Sequence, residues 1–198
     1  MKSAHSRVSR ENRMIEDMLL IWKFKSGDKA ALAHIYEKYK CDLLRVAAAL
    51  LTRTTLAEDI VHDVFISFAQ AADRLRVSGN LKGYLVTSVV NRARNINQAQ
   101  AKQPAAQHEP KEYLGEDSQR PEQWLITTEE FTQVKNTMAV LPYEQREVIT
   151  LHLYGEMTFE AIAKSQSLSI NTVQSRYHYG LDKLRSLLNG EVKNETDR

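Results

Sequence analysis

The sequence predicts an all-α protein: two small helical domains joined by a flexible linker, the C-terminal one a helix-turn-helix. Three observations lead to this fold class. Only 7 glycines and 4 prolines occur in 198 residues, too few for a turn-rich β protein. Apolar residues recur at helical spacing in both halves of the chain. Three of the four prolines lie in residues 101–123, a polar linker that separates residues 14–100 from residues 124–189.

Five helices are predicted in the N-terminal domain, each from one apolar stripe. The Ser26-Gly27 step ends the first helix, and Asp28 is placed to cap the second. Residues 55–58 have the spacing of a capping box ahead of the fourth helix. In chain order the stripes are Met14, Met18, Ile21 and Trp22; Leu32, Ile35, Tyr36 and Tyr39; Leu43, Leu44, Ala47, Leu50 and Leu51; Val61, Val64, Phe65 and Phe68; and Leu81, Leu85, Val89 and Ile96.

A second face of the fourth helix is polar. Asp59, His62, Asp63 and Ile66 recur at i, i+3, i+4 and i+7 and therefore share one side of the helix. A charged helix face is usually only solvated. An exposed isoleucine inside it favours a docking surface for another protein. Spacing alone leaves both interpretations open.

A basic window covers residues 74–108, which contain six Lys and Arg residues and no Asp or Glu. It predicts either a surface for a polyanion or a basic face without a partner. Guanidinium groups suit phosphates, amides suit base edges, and a neighbouring aromatic ring is typical of single-strand binding. The candidates for contact with single-stranded DNA are Asn80, Lys82, Tyr84, Asn91, Arg92, Arg94 and Asn95. For Tyr84, a half-buried core position is the alternative.

The net charge of +2 conceals an uneven distribution. Residues 1–100 carry 16 basic and 10 acidic side chains, whereas residues 125–198 carry 8 and 10. The acidic balance of the C-terminal part runs against DNA binding. Residues 169–185, however, carry three basic side chains and one acidic one.

A helix-turn-helix is the most specific motif of the chain. Thr158 is placed to cap a two-turn helix, and Ser169 a longer second helix after the turn at residues 165–168. Ser167 stands where the turn usually has glycine, and Gln166 where an aliphatic residue is expected, so a helical hairpin without DNA is the alternative. The packing positions are Ile162, Ala163, Leu168, Val173, Tyr177, Gly180 and Leu184. The positions predicted to reach a major groove are Asn171, Thr172, Gln174, Ser175, Arg176, His178 and Tyr179.

Composition also excludes several classes of protein. Cys41 is the one cysteine, which excludes an internal disulfide and a Cys-rich zinc site and fits a reducing cytoplasm. No apolar stretch approaches the roughly 20 residues of a membrane span, so no membrane insertion is expected. The histidines lack metalloprotease spacing, and neither a Gly-rich phosphate loop nor a nucleophile elbow occurs. We therefore expect no enzyme activity, no cofactor and no metal site.

The order of these segments resembles the bacterial RNA polymerase sigma factors of the extracytoplasmic-function (ECF) group, over nearly the whole chain. The blocks that carry the resemblance are residues 27–39 (GDKAAL to YEKY), 57–65 (AEDIVHDVF), 81–95 (LKGYL to NRARN), 141–148 (LPYEQREV) and 171–176 (NTVQSR). Each block is moderately specific, and five in order are strong evidence. Family members commonly continue the last block with arginines, whereas this chain has His178-Tyr179-Gly180.

The resemblance implies a cytoplasmic sigma factor that binds core RNA polymerase and directs promoter-specific transcription initiation. The face of Asp59, His62, Asp63 and Ile66 would dock on the clamp helices of the largest subunit, and the polymerase flap would be a further contact. The segment from residue 76 through Asn95 would melt and read the −10 element as a single strand. The helix-turn-helix would read the −35 element as a duplex. The resemblance is also compatible with an anti-sigma factor as a partner.

Two other functions fit parts of the pattern. A helix-turn-helix regulator would bind DNA independently of polymerase, as a dimer on paired half-sites. An adaptor would use the acidic face of the fourth helix without touching DNA, which leaves the basic window unexplained. Tight one-to-one binding to core polymerase, with weak DNA binding by the protein alone, distinguishes a sigma factor from both.

Overall fold

The computed structural model describes residues 2–71, 80–102 and 136–196, and over these ranges the regular secondary structure is helical. A 3-10 turn, Thr54–Leu56, precedes the third helix. The helices are α1 (Lys2–Lys25), α2 (Lys29–Leu50), α3 (Ala57–Ala71), α4 (Leu81–Lys102), α5 (Tyr143–Leu153), α6 (Phe159–Gln166) and α7 (Ile170–Thr196). The all-α prediction is confirmed. None of the helices in the described ranges is long and apolar enough to cross a membrane.

Some predicted boundaries lie outside the described residues. Residues 103–135 include most of the predicted linker and the predicted start of the C-terminal domain, and residues 72–79 include the first part of the basic window. The division at residues 14–100, 101–123 and 124–189 therefore stays a prediction. We call residues 2–102 the N-terminal lobe and residues 136–196 the C-terminal lobe.

The second and third predicted helices form one continuous helix, α2, so the predicted break between them is wrong. Residues 40–42 separate the two apolar stripes and contain neither glycine nor proline, so nothing stops the helix there. Asp28 caps α2 as predicted, since its carboxylate accepts a hydrogen bond from the Ala30 amide at 2.9 Å. Gly27 supplies the turn before it with a φ of 96°.

Helix α1 turns a different face to the core from the one predicted. Three members of the predicted stripe are exposed: Met14, Met18 and Trp22. Instead, Asp17 is buried, and its two carboxylate oxygens accept from the Tyr39 hydroxyl at 2.7 and 2.8 Å. Lys38 also donates to Asp17, at 2.8 Å. Because a buried carboxylate is costly unless donors satisfy it, this pairing fixes the rotation of α1, and Ile21 remains packed on the core.

The core of the N-terminal lobe lies between α2, α3 and α4. The predicted apolar face of α3 is buried, and Phe68 stacks on Phe24 of α1 with ring centroids 6.0 Å apart. Leu81, Leu85 and Val89 of α4 are likewise buried as predicted. Burial of each such side chain contributes roughly 1.5–3 kcal/mol. This packing gives α3 and α4 fixed outer faces.

The C-terminal lobe contains the predicted helix-turn-helix, α6 and α7. Thr158 caps α6 by accepting from the Ala161 amide at 3.2 Å, and Ser169 accepts from the Thr172 amide at 3.1 Å. Ser167 adopts the left-handed conformation expected of the turn, with φ 55° and ψ 43°. The predicted packing of α7 is also confirmed. A Cβ added at Gly180 would lie 2.6 Å from the Cδ1 atom of Ile149, so glycine allows the close approach of α5.

Candidate functional site

The predicted recognition surface lies on the first turns of α7. Four of its side chains are exposed and three are partly buried, on the side of the helix away from the lobe's core. The exposed ones are Asn171, Ser175, His178 and Tyr179; the partly buried ones are Thr172, Gln174 and Arg176. Tyr177 faces the other way, where its ring packs edge-on against Phe159 at 5.2 Å. The contacts of Tyr177 with the core therefore orient this polar surface toward solvent.

The polar face of α3 is exposed, as its spacing predicts. Asp59, His62 and Asp63 are exposed, and Ile66 is 42% exposed among them. Asp63 pairs with Arg92 of α4, whose Nη1 lies 3.0 Å from the Asp63 Oδ2. The acidic face of α3 and the basic surface of α4 are therefore neighbours on one lobe.

Three candidates on α4 lie on its outer surface. Asn91 and Asn95 are exposed and stand one turn apart. Arg92 is partly buried, because it also donates to the Ser67 hydroxyl at 2.6 Å. Tyr84 is half-buried, with its ring tilted against Phe68 at 6.1 Å, which fits the core alternative for this residue.

The other candidates on α4 contact the C-terminal lobe. Arg94 donates to both carboxylate oxygens of Glu147 in α5, from Nε at 2.8 Å and from Nη2 at 2.9 Å. The Glu147 side chain is 5% exposed. Its hydrogen bonds raise the pKa of the Arg94 guanidinium, which is thus held in its charged form. Gln166 of α6 donates to the same carboxylate at 3.2 Å.

A loop of the C-terminal lobe covers the start of α4. Asn80 donates to the Gly155 carbonyl at 3.1 Å, while its own carbonyl oxygen caps the Gly83 amide at 2.7 Å. Lys82 pairs with Asp42 of α2 at 2.7 Å and lies 3.5 Å from Glu156. Glu156 has a φ of 52°, an uncommon conformation for a residue with a side chain. The side chains of Asn80 and Lys82 are therefore engaged in contacts within the protein.

The described part of the chain contains no candidate metal-binding site. No group of three His, Cys, Asp or Glu side chains there could hold an ion. Cys41 is a free, exposed cysteine.

Two known protein families match the chain, in the order of the two lobes. The model for sigma-70 region 2 matches residues 35–102, and the model for sigma-70 region 4 matches residues 137–186. The ECF RNA polymerase sigma-E factor of Haemophilus influenzae is 26% identical over 177 residues, 82% of this chain and 89% of that protein.

The chain is an ECF sigma factor.

Two solved structures have a similar fold. The structure of CnrH in complex with the cytosolic domain of CnrY has a TM-score of 0.62 and 21% identity, and covers 88% of this sigma factor and 98% of CnrH. The sigma factor RpoE of Bartonella quintana, in complex with the anti-sigma factor NepR, has a TM-score of 0.50 and 23% identity, over 79% and 97%. The matches place this chain among proteins that bind core RNA polymerase and direct promoter-specific initiation.

Sequence reasoning missed the residues by which the two lobes of the sigma factor touch. Glu147 lies within the block at residues 141–148 but has no role of its own there, and Glu156 lies in none of the five blocks. The one sequence signal for this contact is that residues 1–100 have a basic excess whereas residues 125–198 have an acidic excess. Gln166, which stands where an aliphatic residue is expected, donates to buried Glu147. A polar residue at this position is therefore explained by its partner.

Proposed function

We propose that the N-terminal lobe of this sigma factor uses its α3 face to dock on the clamp helices of the largest polymerase subunit. Arg92 and the outer surface of α4 then read the −10 element as a single strand. One observation supports this pairing of roles: the 3.0 Å contact between Arg92 and Asp63 joins the two surfaces. A polymerase bound to the first surface would hold the second beside the melted strand. Because Arg92 bonds Asp63, it would also respond to docking.

The C-terminal lobe reads the −35 element as duplex DNA through α7, and contacts the polymerase flap. The exposed polar surface from Asn171 to Tyr179 supports this role, because a recognition helix presents such groups to the major groove. Tyr179 is 69% exposed and stands where family members commonly carry an arginine. Its ring would make a stacking or methyl contact in place of a phosphate contact, so DNA binding would depend less on charge.

An anti-sigma factor is a further proposed partner. The support is that RpoE, which has a similar fold, was solved in complex with an anti-sigma factor. Such a partner would act in the cytoplasm, where the polymerase is. The docking and reading surfaces are the parts of the protein it would have to cover.

The docking role is tested by co-purification with bacterial core polymerase. Asp59→Arg, alone and with Asp63→Arg, should abolish the complex. Asp63 contributes only an exposed ion pair within the protein, worth roughly 0–1 kcal/mol, so the fold should survive. Glu37→Arg is the matched control, because Glu37 is also an exposed acid on a helix but belongs to α2 and not to the α3 face. Equal retention of both variants would reject the docking face.

The promoter role is tested by run-off transcription with core polymerase on a library of bacterial promoters. Wild-type protein should give defined start sites, and the Asp59→Arg variant should give none. Asn91→Ala with Asn95→Ala should reduce initiation both on linear duplex and on templates already melted at the −10 element, because these amides are proposed to read the separated strand. Sequence-specific DNA binding by the protein as a dimer, without polymerase, would instead favour an independent regulator.

A further inference from the structure

Helix α1 carries an apolar surface on its outer side, away from the core. Five large apolar side chains recur there at i, i+1, i+4, i+5 and i+8, and therefore line one face of the helix. They are Met14, Ile15, Met18, Leu19 and Trp22, which are between 38% and 64% exposed. We call this set the α1 stripe. Together these side chains leave about 500 Å² of apolar surface in solvent, a size at which a patch marks an interaction site.

The other side of α1 keeps the α1 stripe in solvent. Asp17 is buried there and accepts hydrogen bonds from the Tyr39 hydroxyl at 2.7 and 2.8 Å and from Lys38 at 2.8 Å. Leu20 and Phe24 pack on the core beside it. A rotation of α1 that buried the stripe would break all of these hydrogen bonds, each of which a buried carboxylate needs. The N-terminal lobe therefore presents the stripe to a partner.

Charges at the edge of the α1 stripe favour a second copy of this chain as that partner. Glu16 and Lys23 are exposed and seven residues apart, so both border the same edge, one near each end of the stripe. Two antiparallel copies of α1 bring Lys23 of each toward Glu16 of the other, whereas parallel copies set like charges side by side. Glu16 also binds Lys38 at 2.8 Å, but its side chain is 61% exposed and can accept a second donor.

We propose that two copies of this protein associate through the α1 stripe, as antiparallel helices with Met18 and Leu19 at the two-fold axis. Such an interface is isologous, because each copy supplies the same patch. It buries about 1,000 Å² in total, close to the lower limit for a specific interface. The dimer is therefore weak, half-formed at about 10–100 µM. The interface contains no residue of the α3 face or of the helix-turn-helix, so it lies outside the proposed function.

Dimerisation is measured by analytical ultracentrifugation of the full chain from about 1 to 300 µM, a range that brackets a weak interface. Wild type should pass from monomer to dimer, whereas Leu19→Lys should stay monomeric because it sets two charges together at the two-fold axis. Leu19 is 49% exposed, so the core should survive. Leu153→Lys is the matched control, since Leu153 is 52% exposed on α5, and it should dimerise like wild type. A monomeric wild type, or equal loss in both variants, would overturn the proposal.

A charge exchange tests whether the partner is a copy of the same chain. Glu16→Lys alone, or Lys23→Glu alone, sets like charges against each other and should weaken the dimer about threefold to tenfold, through two exposed pairs. The double variant, Glu16→Lys with Lys23→Glu, restores unlike pairs and should dimerise within twofold of wild type. Further weakening in the double variant would refute the antiparallel pairing.

Disulfide cross-linking tests the position of the two-fold axis, with the native Cys41 replaced by serine. Leu19→Cys should cross-link to its own copy under mild oxidation, because the two thiols meet at the axis. Ile15→Cys is the matched control within the stripe. Antiparallel helices set its two copies about 10 Å apart along the helix axis, beyond the reach of a disulfide. Equal cross-linking at both positions would refute the proposed arrangement.

Co-purification with core polymerase separates this inference from the proposed function. Leu19→Lys should bind polymerase like wild type, because the α1 stripe shares no residue with the α3 face. If wild type is monomeric and Leu19→Lys loses polymerase, the stripe is a polymerase contact: the dimer is refuted and the sigma-factor role stands. If wild type dimerises through the stripe but does not bind polymerase, the proposed function fails and the dimer stands.

Discussion

Replacement of Ser167 by glycine should stabilise the helix-turn-helix. Ser167 has φ 55° and ψ 43°, a left-handed conformation that costs a residue with a Cβ roughly 1–2 kcal/mol. Its side chain is exposed, so removal creates no cavity. Glycine adopts this conformation without strain. It also increases the conformational entropy of the unfolded chain, which lowers the stability by roughly 0.5–1 kcal/mol. The expected net gain is about 0.5–1 kcal/mol in the free energy of local unfolding.

Hydrogen exchange of α6 and α7 in the full chain is the appropriate assay, because it reports the opening of this motif separately from the N-terminal lobe. Ser165→Gly is the matched control. It makes the same substitution two residues earlier, inside α6, where glycine should cost about 0.5 kcal/mol because it is a poor helix former. The two variants should therefore shift exchange in opposite directions. Faster exchange in Ser167→Gly would refute the inference that the turn is strained.

Three further substitutions, at Tyr39, Thr158 and Arg176, have expected outcomes. Tyr39→Phe should lower the free energy of unfolding in urea by about 1.5–3 kcal/mol, because buried Asp17 loses a hydrogen bond. Burial and the bond to Asp17 raise the pKa of Tyr39 above its ordinary value of about 10, so wild type should lose stability as the pH rises above about 10, and Tyr39→Phe should lose less. Thr158→Ala should cost about 1 kcal/mol in exchange measurements of α6, through the lost cap on the Ala161 amide. Arg176→Ala should weaken binding of the polymerase complex to a −35 duplex by about 1–3 kcal/mol if it contacts a base, whereas equal loss on random duplex would mark a phosphate contact.

The parts of the fold that sequence could predict are those set by near neighbours. Thr158 and Ser169 each bind an amide three residues away, so spacing alone identifies both caps. The left-handed conformation of Ser167 is predictable in the same way, because the turn of a helix-turn-helix requires that conformation at this position. The same locality explains why residue spacing is enough to predict the outer faces of α3 and α7, since their positions follow from the helical period and a buried opposite side.

The parts that sequence missed depend on distant partners. Asp17 and Tyr39 are 22 residues apart, and the pair rotates α1 so that Trp22 faces solvent. The spacing of apolar residues cannot predict this rotation of α1. A carboxylate such as that of Asp17 is assigned to the solvent-facing side of a helix unless its hydrogen-bond donors are known. Arg94 and Glu147 are 53 residues apart and belong to different lobes. Each resembles an ordinary surface charge within its own helix.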